Sequence, residues 1–282
     1  MTGSGGDDRR GGVDLRDRGP AFAGMATCLE QQADASPRSS MDRLLGRCPL
    51  RDDARSWFYR TIGELEVARL LARLDDSWTV LHAVPVGSGM SDIDHVLVGP
   101  RGVFTVTTKN HSGGTIWATG TGFLVDGRGE RYIHHSLSEA SRASDLITRS
   151  AGIRVPVTPV IVVVDPAAIT GSWPDVPVLP ANGLLRWLRR QPREFADDTV
   201  AGIVQVVVRR GTWSTSAHEQ LDAEGLQRDF ERLRIEVFGA RARRRLWAFI
   251  VRAAIVAAVL VGALLTLGAL PHVLAGLFAT AL

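Results

Sequence analysis

The sequence predicts an α/β protein, a mixed β-sheet flanked by helices, with one transmembrane helix at its C-terminal end. Three observations carry this reading. Apolar residues recur at helical spacing, alternate through three short runs, return to helical spacing and then form a continuous β-branched run, the order helix, three strands, helix, strand. The 282 residues are 45% hydrophobic and 22% charged, with 33 basic against 30 acidic side chains, a globular balance that excludes collagen-like and wholly disordered chains. Residues 253–270 carry no charge at all.

Residues 1–50 are rich in Gly, Asp, Arg, Ser and Pro without a clear period, which predicts a disordered N-terminal region. They do not read as a signal peptide, because the apolar stretch 20–29 is short, contains Gly24 and Thr27, and follows a mixture of Asp and Arg. Met41 offers an alternative translation start shortly before the folded part. Leu65, Ala68, Leu71 and Ala72, with Glu64, Glu66 and Arg69 between them, place a helix over 57–74. Residues 79–86, 92–98 and 102–109 read as strands separated by GSGMS and GPRG. A helix over 136–150 and a fully buried strand within 155–165 follow. Residues 184–188 and 221–238 predict helices, and 201–208 fits either a strand or a buried helix. There is no internal repeat.

Arg241, Arg243, Arg244 and Arg245 precede the apolar residues 246–250, Arg252 and the uncharged stretch. At about 1.5 Å per residue that stretch covers roughly 27 Å, close to the bilayer core of about 30 Å. A span over 246–270 puts Trp247 and Arg252 at headgroup level and the arginine cluster against lipid headgroups. The positive-inside rule makes the chain a single-pass protein of the cell membrane with its N-terminal domain in the cytoplasm. The tail 271–282 is too short to cross again; it extends the helix past a kink at Pro271 or lies in the interface. Cys28 and Cys48 lie outside any metal-ligand spacing, which excludes a disulfide scaffold or zinc site and fits a reducing compartment. A surplus of three positive charges, with no basic block in the main body, is no nucleic-acid footprint.

The chain contains a single lysine, Lys109, and every other fixed positive charge is an arginine. One lysine must fall somewhere by chance, so its address decides its meaning. If GPRG closes a symmetric hairpin, Val98 faces Val103, Asp94 lies across from Thr107 and Asp92 faces Lys109. Alternation then gathers Asp92, Asp94, Thr107 and Lys109 on one face, with Ile93, Leu97, Phe104 and Val106 on the other; a bulge at the turn would shift the pairing by one. The polar face also carries Val96, Val98 and Val103, so it too is covered, and carboxylates buried beside an ammonium point to a purpose.

The run GELEVARLL at 63–71, SDIDHVLVGPRGVFTV at 91–106 and TKN with a following Gly resemble the nuclease-related domain, NERD, over about residues 55–165. NERD is a branch of the restriction-endonuclease-like superfamily, whose signature is PD-(D/E)xK. The resemblance implies a restriction-endonuclease-like mixed sheet for 55–240 and a magnesium (or manganese) ion that activates water for phosphodiester cleavage. Carried over position by position, it gives Glu64, Asp94 and Lys109 catalytic roles, with Asp94 and Glu64 holding the metal. One position departs: the acid two residues before the lysine is Thr107, which offers a hydroxyl and no charge. Asp92, Glu64 or, as a migrated acid from the following helix, Glu139 would compensate. With the C-terminal span, the resemblance therefore implies a membrane-anchored nuclease with a degenerate site or, alternatively, a membrane-tethered inactive module that binds nucleic acid or protein. Gly87 and Gly89 read as a turn, His95 as a core histidine, His134 and His135 as a solvated helix start, and His111 as a solvated loop residue.

Overall fold

The computed structural model describes residues 14–86, 92–172, 175–214 and 222–279, with side chains as far as 263. Residues 1–13 and the Gly87 and Gly89 turn lie outside the described residues. The chain forms two compact units, one built from residues up to Ala33 with Asp52–Asp229, the other from Asp34–Arg51 with the residues from Phe230 onwards.

The first unit is built on a five-stranded sheet in the order β1-β2-β3-β7-β9. β1 (Thr79–Pro85), β2 (Asp92–Gly99) and β3 (Gly102–Asn110) are antiparallel, as short turns allow, whereas β7 (Val157–Val164) and β9 (Val178–Pro180) continue the sheet in parallel. The β2–β3 hairpin has the symmetric register read from GPRG, with Val98 opposite Val103 and His95 opposite Val106. Helix α3 (Asp52–Leu71) and helix α5 (Leu184–Arg190) cover one face, where Val67, Leu71, Leu184 and Leu188 pack on Leu97, Phe104, Val106 and Val162. On the other face α4 (Tyr132–Ala151) and α6 (Asp197–Val207) bring Ala143, Ile147, Ile203 and Val207 against Val96, Val98 and Val103. Residues 201–208, which fit either state by sequence, are therefore helical apart from the cap Val208.

A second sheet, in the order β6-β5-β4-β8, comprises β4 (Thr115–Thr119), β5 (Gly122–Val125), β6 (Arg128–Gly129) and β8 (Ala168–Ser172). It packs Ile116, Ala118 and Phe123 on Ile161 and Val163 of β7.

The expected disorder of residues 1–50 is corrected from Asp14 onwards. The stretch that looked too short for a leader is helix α1 (Phe22–Gln32), which buries Phe22, Met25, Ala26 and Cys28 and packs on α3. Its small residues bury nearly all round the helix, so no polar face marks the period. Burial also pushes the Cys28 thiol up to about 11. Both cysteines are free.

The second unit contains α2 (Ser40–Leu45), opened by a capping box between Ser39 and Asp42, and most of α7 (Ala223–Ala279). α7 is helical through Pro271, so residues 271–279 of the tail extend the helix, and 280–282 lie outside the described residues. It is long and apolar enough to cross a membrane, with a mean hydropathy of 2.3 in its most apolar window and none of that window buried.

Candidate active site

The site begins with an irregularity in β1 and β2. Their ladder pairs His82 with His95 and Val84 with Ile93, and skips Ala83 and Asp94 between them. Ala83 sits at φ 49°, in the left-handed region that disfavours a side chain, so the pleat is interrupted there. Beyond that point the alternation inverts. Ile93 joins Val96 and Val98 in the core under α4 and α6 instead of packing with Leu97, and Asp92 and Asp94 turn towards α1 and α3. The expected single face of Asp92, Asp94, Thr107 and Lys109 is thereby corrected.

Asp94 is 4% exposed, and its Oδ2 accepts the backbone N–H of Thr108 at 2.6 Å, so the carboxylate is fixed beside β3. Helix α3 approaches the same place closely: a Cβ on Gly63 would stand 3.0 Å from the Cβ of Asn110, whose Nδ2 donates to the Tyr59 carbonyl at 2.7 Å. This seats Glu64 in the interior, where it accepts the N–H of Ala21 at 2.8 Å. One turn earlier, Arg60 lies 3.6 Å from Asp94 and over the Trp57 ring, and its half-exposed guanidinium links the buried acids to the surface. Glu64, Asp92, Asp94, Arg60 and Trp57, with Gly24 and Thr27 of α1, line a cavity of about 20 Å³, room for about one water.

From the opposite face α4 supplies Glu139, whose Oε2 accepts a hydrogen bond from the Thr107 hydroxyl at 3.0 Å. Lys109 places its ammonium 4.5 Å above the ring of Tyr132, the first residue of α4, a cation–π contact. Asp92 has another partner: Arg18, from the segment before α1, pairs with it at 2.7 Å, and both side chains are nearly buried.

These charges are interdependent. Burial, and then the neighbouring charge of Asp94, hold the Glu64 carboxyl well above the usual glutamate range. The same two causes raise Glu139, against the opposing Thr107 hydrogen bond. Burial lowers Lys109, partly offset by attraction to Asp94 and Glu139. Burial alone would lower Arg60; Asp94, Glu64 and Glu139 together outweigh it and raise the guanidinium. The structure thus gathers Asp94, Glu64, Thr107, Glu139 and Lys109 into one electrostatic cluster. The sequence reading missed Arg60 and Arg18. Arg60 was legible, since it lies four residues before Glu64 on one helix face; Arg18 was not, because nothing in the sequence pairs it with Asp92.

The family model of the nuclease-related domain matches residues 60–164. Residues 60–164 are a nuclease-related (NERD) domain. No curated protein and no solved structure matches the chain. The NERD match contains Arg60, Glu64, Asp94, Thr107, Lys109 and Glu139, and leaves α1 and Arg18 outside it.

Among the described residues no three His, Cys, Asp or Glu side chains are gathered closely enough to enclose an ion. Magnesium does not require such a cage: it keeps several waters and takes one or two carboxylates together with substrate phosphate. Asp94, with Glu64 and Glu139 in its electrostatic neighbourhood, supplies hard oxygen donors of that kind; burial first, and the charge of Asp94 second, raises both glutamates. The domain would thus need only one or two of its carboxylates, with water and phosphate, to take up such an ion. Its histidines stand apart from this chemistry. His95 is buried with its Nδ1 2.9 Å from that of His82, as a core residue, and burial pushes His82 down to about 4. His111 is not solvated in a loop but partly buried and stacked on Tyr132.

Proposed function

We propose that this NERD protein is a membrane-anchored, metal-dependent phosphodiesterase of nucleic acid in which Glu139 replaces the acid missing at Thr107. The observation that carries the reading is the 3.0 Å hydrogen bond from Thr107 to Glu139. It brings a carboxylate from α4 to the position where the D/E-x-K pattern wants one from β3, next to Asp94 and Lys109.

Asp94 and Glu139, together with water and the substrate phosphate, would hold magnesium or manganese, which would supply Lewis-acid stabilisation of the phosphate and of the attacking water, with Glu64 as a neighbouring carboxyl on the far side of Asp94. Lys109 orients that water and stabilises the charge that develops on phosphate; burial makes its ammonium a better proton donor than a surface lysine. Arg60, half-exposed at the mouth, binds the non-bridging phosphate oxygens. Water adds across one P–O bond, giving one proton to the glutamate or bulk side and one to the leaving oxygen. α7 anchors the domain to the cell membrane with the domain in the cytoplasm.

A second reading, binding of nucleic acid without cleavage, is favoured by one observation: Arg18 and Arg60 already neutralise Asp92 and Asp94. One experiment separates the two. The full chain in detergent is incubated with single- and double-stranded DNA and RNA in magnesium or manganese, beside variants. Cleavage is expected to fall at least about 100-fold in Asp94→Ala, Lys109→Ala and Glu139→Gln, and to recover in the double variant Thr107→Glu/Glu139→Gln, which returns the acid to β3. Cleavage that survives Lys109→Ala and Asp94→Ala overturns the assignment. Salt-sensitive binding without cleavage in every variant leaves the second reading.

A further inference from the structure

We propose that α2 is a membrane foot, seated in the headgroup layer of an anionic phospholipid leaflet beside the point where α7 enters it. The inference rests on reading α7 as the span. Met41, Leu44 and Leu45 occupy i, i+3 and i+4 of α2 and so share one helix face, yet they are 60%, 57% and 39% exposed. Three large apolar side chains held out on a six-residue helix make a patch that needs a cover.

The level of that patch is fixed by α7. Trp247 Nε1 donates to the Leu44 carbonyl at 2.9 Å, and Arg243 donates to the Arg43 carbonyl at 3.3 Å. Gly46 then turns the chain at φ 71°, so close to α7 that a Cβ would lie 2.5 Å from the Ala240 carbonyl oxygen. Leu44 is thus tied to Trp247, the second residue of the apolar run of α7, the level at which tryptophan meets the membrane interface. Leu246 and Phe249 are exposed at the same level, 57% and 69%.

Charge selects the lipid. Arg47 and Arg38 already meet Asp42 and Glu236. Arg43 and the exposed Arg241, Arg244 and Arg245 leave the surround strongly basic. An apolar face rimmed by arginine is the pattern of an interfacial helix on anionic lipid.

The test uses the full chain in lipid nanodiscs on a Cys48→Ser background; the remaining Cys28 is buried. Single cysteines are placed at Leu44, at Val259 in the span and at Arg228 as a water-exposed control, and their alkylation by a charged, membrane-impermeant maleimide is timed. In discs with about 30% anionic lipid, Leu44→Cys should react at least about ten-fold more slowly than Arg228→Cys, and the protection should fade in zwitterionic discs. Leu44→Cys reacting as fast as Arg228→Cys while Val259→Cys stays silent overturns the foot and leaves the span intact. Protection indifferent to lipid charge overturns the anionic partner. Rapid reaction of Val259→Cys removes the span itself and the foot with it.

Discussion

Glu64 shows how burial and charge act on stability at a single residue. Its carboxyl is held well above the ordinary value of 4.5 by burial first and by the charge of Asp94 second, against the pull of Arg60 and the Ala21 N–H. A group whose folded-state pKa is raised stabilises the fold fully below its unfolded value, and that contribution is lost as pH rises through the folded value. At neutral pH and above, the ionised or proton-retaining Glu64 therefore draws on the stability of the domain. Glu64→Gln keeps a carbonyl oxygen for the Ala21 N–H and removes the ionisation. Thermal melts followed by circular dichroism should show this variant melting about 2–4 °C above the parent at about pH 8, with the gain vanishing towards pH 4.5. A gain that is flat with pH, or a loss at high pH, would mean that attraction to Arg60 outweighs burial. Glu139 is raised in the same way, by burial first and by Asp94 second, against the hydrogen bond from Thr107.

At the scale of elements, α1 and the segment before it close the acid cluster from a side that the family match does not reach. Arg18 pairs with Asp92 at 2.7 Å, with side-chain exposures of 12% and 8%, and Ala21 at the start of α1 binds Glu64. Removing one partner of a buried pair strands the other charge. Arg18→Ala should therefore destabilise the protein by about 3 kcal/mol in urea titration, and the double variant Arg18→Ala/Asp92→Asn should recover part of that loss. A loss below about 0.5 kcal/mol would place the pair among exposed ones that contribute little. Elements of this kind also mark where sequence reading stopped. Helices α3 and α4 were legible from their helical period, the β2–β3 hairpin from its turn and alternation, and β7 from its continuous β-branched run. Helix α1 was not, since small residues bury nearly all round it. The second sheet was missed although Asp126-Gly127, at φ 49° and 79°, is the two-residue hairpin signal joining β5 to β6. The inversion at Ala83 and Asp94 had no sequence signal at all; an alanine in the left-handed region is imposed by surrounding packing, not by local preference.

For the whole molecule, the decisive asymmetry is the distribution of charge along α7. Arginines crowd the helix before the apolar run, at 241, 243, 244, 245 and 252, and residues 253–282 contain no Asp, Glu, Lys or Arg. Orientation follows the positive residues close to a span, because moving them across the membrane is opposed, whereas an uncharged tail crosses without that barrier. In the orientation proposed above, the site and the free, exposed Cys48 would both lie on the cytoplasmic side. A reporter active only outside the cytoplasm, fused after Leu282, should therefore be active, and the same reporter fused before Met1 should be silent. Replacing Arg241, Arg243, Arg244 and Arg245 with Gln, while adding Lys residues after Leu282, should shift the population towards the opposite orientation, since the bias of basic residues is then reversed. Activity of the cytoplasmic form of the reporter after Leu282 in the unmodified chain would reverse the topology, and with it the compartment in which Asp94 and Lys109 meet their substrate.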